Sequence, residues 1–338
     1  MLTARRAAIL RYVVDEYVDS GQPVASRTVA QKYRLPISPA TIRNEMMRLE
    51  EEGYLHQPHT SAGRIPSDKG YRYYVEWLMR EETPPEAVRQ QVWEEMWQAA
   101  KRLEECARVA AAALATYVHG MALVTMPHGP PARLRWLEVV KLRDPLVLVV
   151  VVLYQARVRE RVLTLGEVGQ EDLSDAAHRL SYRFAGMAAH QLRRAIPHLS
   201  AQEREIMNAA ASLLEEEDAY AYRLAALEGI KELLGYPEFA DRRQMLAILD
   251  YLEGEGISRL LPYPLPPQGG VRVVIGSEHP EEPLRHLSMV VASYPAPGGA
   301  RGGVAVVGPT RLRYGRAVGM VRYLASLMER ITQAWWGG

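Results

Sequence analysis

Apolar positions in residues 3–19 repeat at helical spacing, with Ile9, Tyr12, Val13 and Tyr17 on one face. Gly21 and Pro23 stop that helix. Ser26 is a good N-cap for a short second helix, RTVAQKY, and a turn follows at Arg34-Leu35-Pro36. Ser38 caps a third helix, with Pro39 at the first position, where a missing N–H costs nothing. That helix buries Ile42, Met46 and Leu49 and ends at Gly53. Tyr54-Leu55-His56 and Ile65 are expected as two short strands flanking the loop TSAGR. A last helix starts near Ser67-Asp68 and runs through Tyr71, Tyr74, Val75 and Leu78 to Met79. Helices two and three make a helix-turn-helix, and the hairpin after them makes a wing.

The segment EETPPEA (81–87) is charged and proline-containing, as a linker would be. One long helix is expected from Val88 to Val118, then strands at MALVTMP, WLEVVKL, LVLVVVVLY and RVRERVLTL. Between 167 and 232 the period returns to helical, including HRLSYRFAGMA, EREIMNAAASLL and YRLAALEGIKELL. FADRRQMLAILDYLE is a further helix, followed by the proline-rich LLPYPLPPQGG. The chain closes with strands VRVVIGS, HLSMVVASY and GGVAVVGP and a helix over 312–335. Strands at both ends of this region, interrupted by helices, predict an α+β domain carrying a mostly helical insertion.

Composition narrows the class. The 338 residues allow two or three cores, and 48% hydrophobic with 24% charged residues fits a folded chain. One cysteine excludes an internal disulfide framework and suits a reducing cytosol, so a cytoplasmic setting is expected. The first helix carries Asp15, Glu16 and Asp19 and does not read as a signal peptide. The longest apolar run, Leu146 to Tyr154, is about a third to a half of a membrane-spanning helix and reads as a buried strand. Arginine outnumbers lysine 36 to 5 and there are two asparagines, which high genomic GC content or a hot habitat would each produce.

Net charge is only +1, but the balance from Arg27 to Arg72 is eight basic residues against five acidic. On the third helix, Ala40, Arg43, Asn44 and Met47 face away from the apolar stripe, with Thr41 beside them. Residues near the start of such a helix meet base edges in the major groove. Arg43 suits guanine O6 and N7, Asn44 suits adenine N6 and N7, and Arg48 is better placed for phosphate. On the wing, small Ser61 and Ala62 permit close approach, Gly63 permits left-handed backbone, and Arg64 is expected to enter a minor groove or clamp a phosphate. The expected DNA-binding set is Ser38, Ala40, Thr41, Arg43, Asn44, Met47, Arg48, His59, Thr60, Ser61, Gly63 and Arg64.

These residues carry a resemblance. SPATIRNEMMRLEEEGYLHQPHTSAGRIPSDKGYRYYV (38–75) closely resembles the winged-helix segment of the heat-inducible transcription repressor HrcA family. The likeness continues at EGIKELLGYPEFAD (228–241), IGSE (275–278) and GGVAVVGPTRLRYGRAV (302–318), so it spans nearly the whole chain. The family often has asparagine at the place of Lys231. The resemblance implies a homodimeric repressor of chaperone operons that binds double-stranded DNA at an inverted-repeat operator, the CIRCE element, and is kept active by the GroEL chaperonin. It further implies a winged helix at 1–80, a linker at 81–87, a GAF-like domain at 88–166 and 233–338, and an inserted dimerisation domain at 167–232 that could begin as early as 130. Within the insert, Leu213, Leu214, Tyr220, Leu224 and Leu227 offer apolar faces for self-contact or for its own core.

Enzyme signals are weak, and no enzyme, cofactor or metal is expected. Gly298–Gly303 lacks the Lys-Ser/Thr of a phosphate loop and reads as a turn. The nine histidines show no metal spacing with Cys106, and His56 and His59 on the wing suit phosphate or solvent. Glu278 has no partner carboxylate or base that spacing would bring near. Two other classes stay open: a small-molecule-sensing GAF-type regulator, and a protein-interaction adaptor that never touches DNA.

Overall fold

The structure, a computed structural model, describes residues 2–33, 36–59, 62–129, 131–154, 157–166, 168–221, 224–253, 260–261 and 265–336. The chain starts with α1 (Ala4–Ser20), α2 (Ser26–Lys32) and α3 (Pro39–Glu51). The strands β1 (Leu55–His56) and β2 (Ile65–Pro66) pair antiparallel behind them, and α4 (Asp68–Tyr73) runs on as a π-turn to Leu78. Each helix begins for a local reason. Thr3 caps α1, Ser38 caps α3 and Ser67 caps α4, each through a side-chain oxygen that accepts an N–H of the first turn. Gly21 closes α1 in the left-handed conformation. Ser26 does not cap α2: it is the first helical residue, and Ala25 stands before it without a side-chain cap.

The expected long helix is two. α5 (Glu86–Gln98) and α6 (Leu103–Val118) are separated by a turn in which Arg102 is extended. The turn brings the Cys106 thiol to the Met96 carbonyl, 3.5 Å away, so both helices bury residues in one core.

The central sheet has five antiparallel strands in the order β7 (Leu224–Glu228), β3 (Met121–Thr125), β10 (Arg301–Pro309), β9 (Leu287–Pro295), β8 (Val271–Ile275). Its side chains alternate between two cores, as a strand period of two requires. Val290, Ala292, Tyr294, Val304 and Val306 face α6 and α12 (Tyr314–Trp336); Met289, Val291, Ala305 and Val307 face Leu233, Phe239, Ile248 and Leu284 on the other side. That second face is covered by α10 (Ile230–Leu234) and α11 (Arg242–Glu253). The stretch LAALE, expected as helix, is β7: it pairs with β3 and so becomes a sheet edge.

Between β3 and β7 the chain leaves this sheet and builds a second core. β4 (Leu134–Arg143), β5 (Leu146–Leu153) and β6 (Val158–Thr164) pair only with one another, and α7 (Gln170–Phe184), α8 (Ala189–Ala195) and α9 (Ala201–Ala221) cover one face. The strands β4–β6, expected in the flanking domain, therefore share a core with α7–α9. The Asp218 carboxylate, buried, accepts the Ala132 N–H at 2.7 Å and ties the two ends of this stretch together. Leu213 and Leu214 are buried in this core, while Leu224 and Leu227 belong to β7 of the other sheet. The side chain of Tyr220 lies outside the described residues.

Candidate nucleic-acid interface

In α3 the Ser38 Oγ accepts the Thr41 N–H at 3.1 Å and lies 3.0 Å from the Thr41 hydroxyl, which fixes where the helix starts. Ile42, Met46 and Leu49 are fully buried against α1 and α2. The opposite face, with Ala40, Arg43, Asn44, Met47 and Arg48, is exposed, and Ser38 is exposed beside it. Met47 on this face is 46% accessible.

The acidic flank of α3 is answered from outside the helix. Glu45 meets Arg6 at 3.1 Å and Arg5 at 3.8 Å, Glu52 pairs with Arg6, and Glu50 meets Arg64 at 2.8 Å. These pairs offset negative charge that would otherwise lie alongside Arg43 and Arg48.

The hairpin departs from expectation in three ways. It has a third member: Val24 and Arg64 exchange both backbone hydrogen bonds at 2.9 Å, so the extended segment after Pro23 lies against the wing. The only sequence signal for that was Pro23 itself, whose fixed φ suits extended chain. Second, Gly63 has no positive φ. Its need is space, because a Cβ there would come 2.5 Å from the Val24 carbonyl. Third, Arg64 is not held out from the loop. Its side chain is only 13% exposed and its Nε donates to Glu50 Oε2. The loop is closed by the Gln57 amide, which donates to the Ala62 carbonyl at 2.8 Å. His59 is exposed at its edge; Thr60 and Ser61 lie outside the described residues. The structure thus brings Ser38, Ala40, Thr41, Arg43, Asn44, Met47 and Arg48 together on α3, with Gly63 and Arg64 as structural members of the hairpin.

Reactive groups elsewhere are turned down by burial. Burial pushes the Cys106 thiol up to about 11, which leaves it a poor nucleophile near neutral pH. Burial pulls His279 and His128 below the ordinary imidazole value, favouring the neutral ring. Among the described residues no group of three or more His, Cys, Asp or Glu is arranged to hold a metal, and no helix is long and apolar enough to cross a membrane.

Known proteins with which this chain shares sequence are transcription repressors. A protein named heat-inducible transcription repressor HrcA from Dehalococcoides mccartyi is 36% identical over 338 residues, covering 100% of this chain and 98% of its own. Its namesake from Chloroflexus aurantiacus is 37% identical over 353 residues, covering 98% and 94%. The family model described as the HrcA protein C terminal domain matches residues 104–318. The chain belongs to the HrcA family. A crystal structure of a hypothetical protein shares the fold, with a TM-score of 0.57 at 20% identity over 99% of both chains.

Proposed function

We propose that this protein is a sequence-specific DNA-binding repressor of heat-shock chaperone operons that acts as a homodimer on an inverted-repeat operator. In this reading residues 4–78 are a winged helix-turn-helix, α3 enters the major groove, and the five-stranded sheet with its helices is a GAF-like domain. The carrying observation is the α3 face: Arg43, Asn44 and Met47 stand exposed on a helix whose Glu45 and Glu50 are paired away from that face. Arg43 and Asn44 read base edges, Met47 meets a thymine methyl or sugar, and Arg48, Ser38, Thr41 and His59 lie at phosphate positions.

Dimer contact falls on the outer face of the β4–β6 sheet. Cross-strand registers line up Val140, Leu148 and Val162 in one row and Trp136, Val152 and Val158 in another. Among the described residues α7 reaches that face at its Trp136 end, through His178 and Tyr182, and Leu142, Val158 and Val162 are each more than half exposed. Between the two rows lie Glu138, Val150 and Glu160, so the face is two apolar rows around a centre that carries two carboxylates, and exposed apolar surface of this size marks an interaction surface. A half-exposed apolar sheet face would also be a target for a chaperonin when the protein is not paired, which supports the GroEL dependence that the family likeness implies.

The test is binding to an inverted-repeat duplex against a scrambled duplex at two salt concentrations. Preference for the inverted repeat, with affinity falling steeply as salt rises, is expected, because neutralised phosphates release counterions. Equal, salt-insensitive binding would favour the adaptor class instead.

A further inference from the structure

The helical unit at the N-terminus does not hang from its linker. It is seated on the five-stranded sheet unit at three places, and apolar residues of both form one continuous core. The first place is α4 on the turn after β8. Arg72 Nε donates to Glu278 Oε1 at 2.7 Å, and its Nη2 donates to the Val273 carbonyl at 2.8 Å and to the second Glu278 oxygen. From the same helix, Asp68 Oδ2 accepts the Ser277 N–H at 2.8 Å. Gly276 makes that approach possible: its φ is +47°, and a Cβ would lie 2.5 Å from the Asp68 carboxylate oxygens. Glu278 is itself held by the Ile275 N–H, which donates to it at 2.9 Å.

The second place is Arg311, between β10 and α12. It pairs with Glu238, lies 5.0 Å from the Tyr236 ring centre, and directs Nη1 toward the Val18 carbonyl at the end of α1, 3.5 Å away. The third is the expected linker, which is a strap along α12. The Glu82 N–H donates to the Gly315 carbonyl at 3.1 Å, Glu81 meets Arg322 at 3.3 Å, and a Cβ on Gly315 or Gly319 would overlap the carbonyl oxygen of Arg80 or Glu82. Two distant segments, at 273–278 and 311–319, thus meet the helical unit and its strap, with Tyr236 and Glu238 backing Arg311. None of these contacts involves Ala40, Arg43, Asn44, Met47 or Arg48, which stay exposed.

A joint that seats the helical unit firmly while leaving its reading face open does not act as a lid. We infer that it is a brace, and that Arg72 and Glu278 are positioning residues that set the spacing between operator half-sites without touching DNA. The inference rests on the DNA-binding, two-fold reading given above. In a two-fold pair, a fixed angle between each helical unit and its sheet fixes the separation of the two α3 faces. Binding of the first half-site then presents the second face at high effective concentration for one spacing and low for others. A loosened brace spreads the second face over many positions, so the best spacing loses affinity and the wrong spacings lose less.

The experiment uses the full chain with Arg72→Ala, Glu278→Gln, the double variant, and Gly276→Ala. Duplexes carry an inverted repeat with the half-sites moved apart by single base pairs over about one helical turn, ~10 base pairs, or carry one half-site alone. Glu278→Gln keeps an acceptor for the Ile275 N–H and so is the milder variant should Arg72→Ala fold poorly, which circular dichroism reports. Wild type is expected to prefer one spacing. Each variant should lose about tenfold at that spacing, show a flatter spacing profile and keep wild-type affinity for the single half-site. The double variant should lose little more than either single one. Spacing profiles identical to wild type in Arg72→Ala and Glu278→Gln would overturn the brace and leave DNA binding standing. An equal loss on one-site and two-site duplexes would also overturn it, since that is the mark of a contact or folding defect. A wild type with no preference for the inverted repeat would overturn the DNA reading and the brace together.

Discussion

Arg64 Nε donates to Glu50 Oε2 across 2.8 Å, tying the returning strand of the hairpin to the C-terminal half of α3. The arginine that looks from its loop like a probe for DNA is, in the folded chain, a clamp between wing and helix. Its guanidinium is largely buried, and its own backbone pairs with Val24.

Arg64→Ala is therefore expected to act first on stability. A charge-assisted bond between a largely buried and a partly exposed group, discounted for screening at Glu50, is worth about 1–2 kcal/mol. Urea unfolding should show a lower midpoint, while the salt dependence of duplex binding keeps the wild-type slope. A slope shallower by about one phosphate contact would place the guanidinium on DNA instead.

Gly63→Ala tests the close approach rather than a turn conformation. The new Cβ would sit 2.5 Å from the Val24 carbonyl, whose backbone cannot yield without breaking its pairing with Arg64. A loss of about 1–3 kcal/mol in unfolding free energy is expected, as for overpacking elsewhere. A neutral effect would mean that the segment at 23–24 moves freely from the wing.

On α3 the two exposed arginines should separate by kind of loss. Arg43→Ala should cost about 1–3 kcal/mol at one operator position and relax selectivity there. Arg48→Ala should weaken all duplexes alike and reduce the salt slope. Competition binding against single-base operator variants reads the difference; matching profiles for both variants would remove base readout from Arg43.

The exposed sheet face predicts assembly. Leu142→Glu with Val162→Glu places two charges where both side chains are 52% exposed, so folding should survive. Light scattering is expected to show a monomer that binds one half-site weakly. A dimer persisting in this double variant would move the self-contact off the β4–β6 sheet.

Stability should fall on mild acidification. His279 is buried, and that burial outweighs Glu278 beside it and its backbone bond to Leu287, holding the ring below its usual 6.5. His128 is lowered for the same first reason. Between that usual value and the lower folded one, the unfolded chain binds more protons, so stability is full above pH 6.5 and is lost as pH falls through the folded value. His279→Gln should flatten the pH dependence of Tm in that window. An unchanged slope would mean that the ring is not buried in the folded state.

The N-terminal helices, their apolar faces, the Ser38 cap and the exposed Arg43, Asn44 and Met47 were all legible in the sequence, because each depends on contacts within a few residues. That β5 and β9 are strands was legible too, from their apolar runs, but β5 read as buried throughout and the structure leaves one of its faces partly exposed. Local pattern could not decide what the tertiary structure did. LAALE supplies apolar residues to both cores, a pattern a helix would also satisfy, and only the partner β3 makes it a strand. WLEVVKL and its two neighbours read as strands, but which sheet they join depends on pairings between strands rather than on any one of them. Arg64 turned inward because Glu50, 14 residues away, reaches it, and EETPPEA became a strap because Gly315 and Gly319 leave room on a helix more than 200 residues further along. The N-terminal helices, their caps and the exposed face of α3 follow from neighbours in sequence; the strand at LAALE, the sheet each strand joins, the Arg64–Glu50 pair and the strap at 81–87 follow from contacts whose partners are distant in the chain.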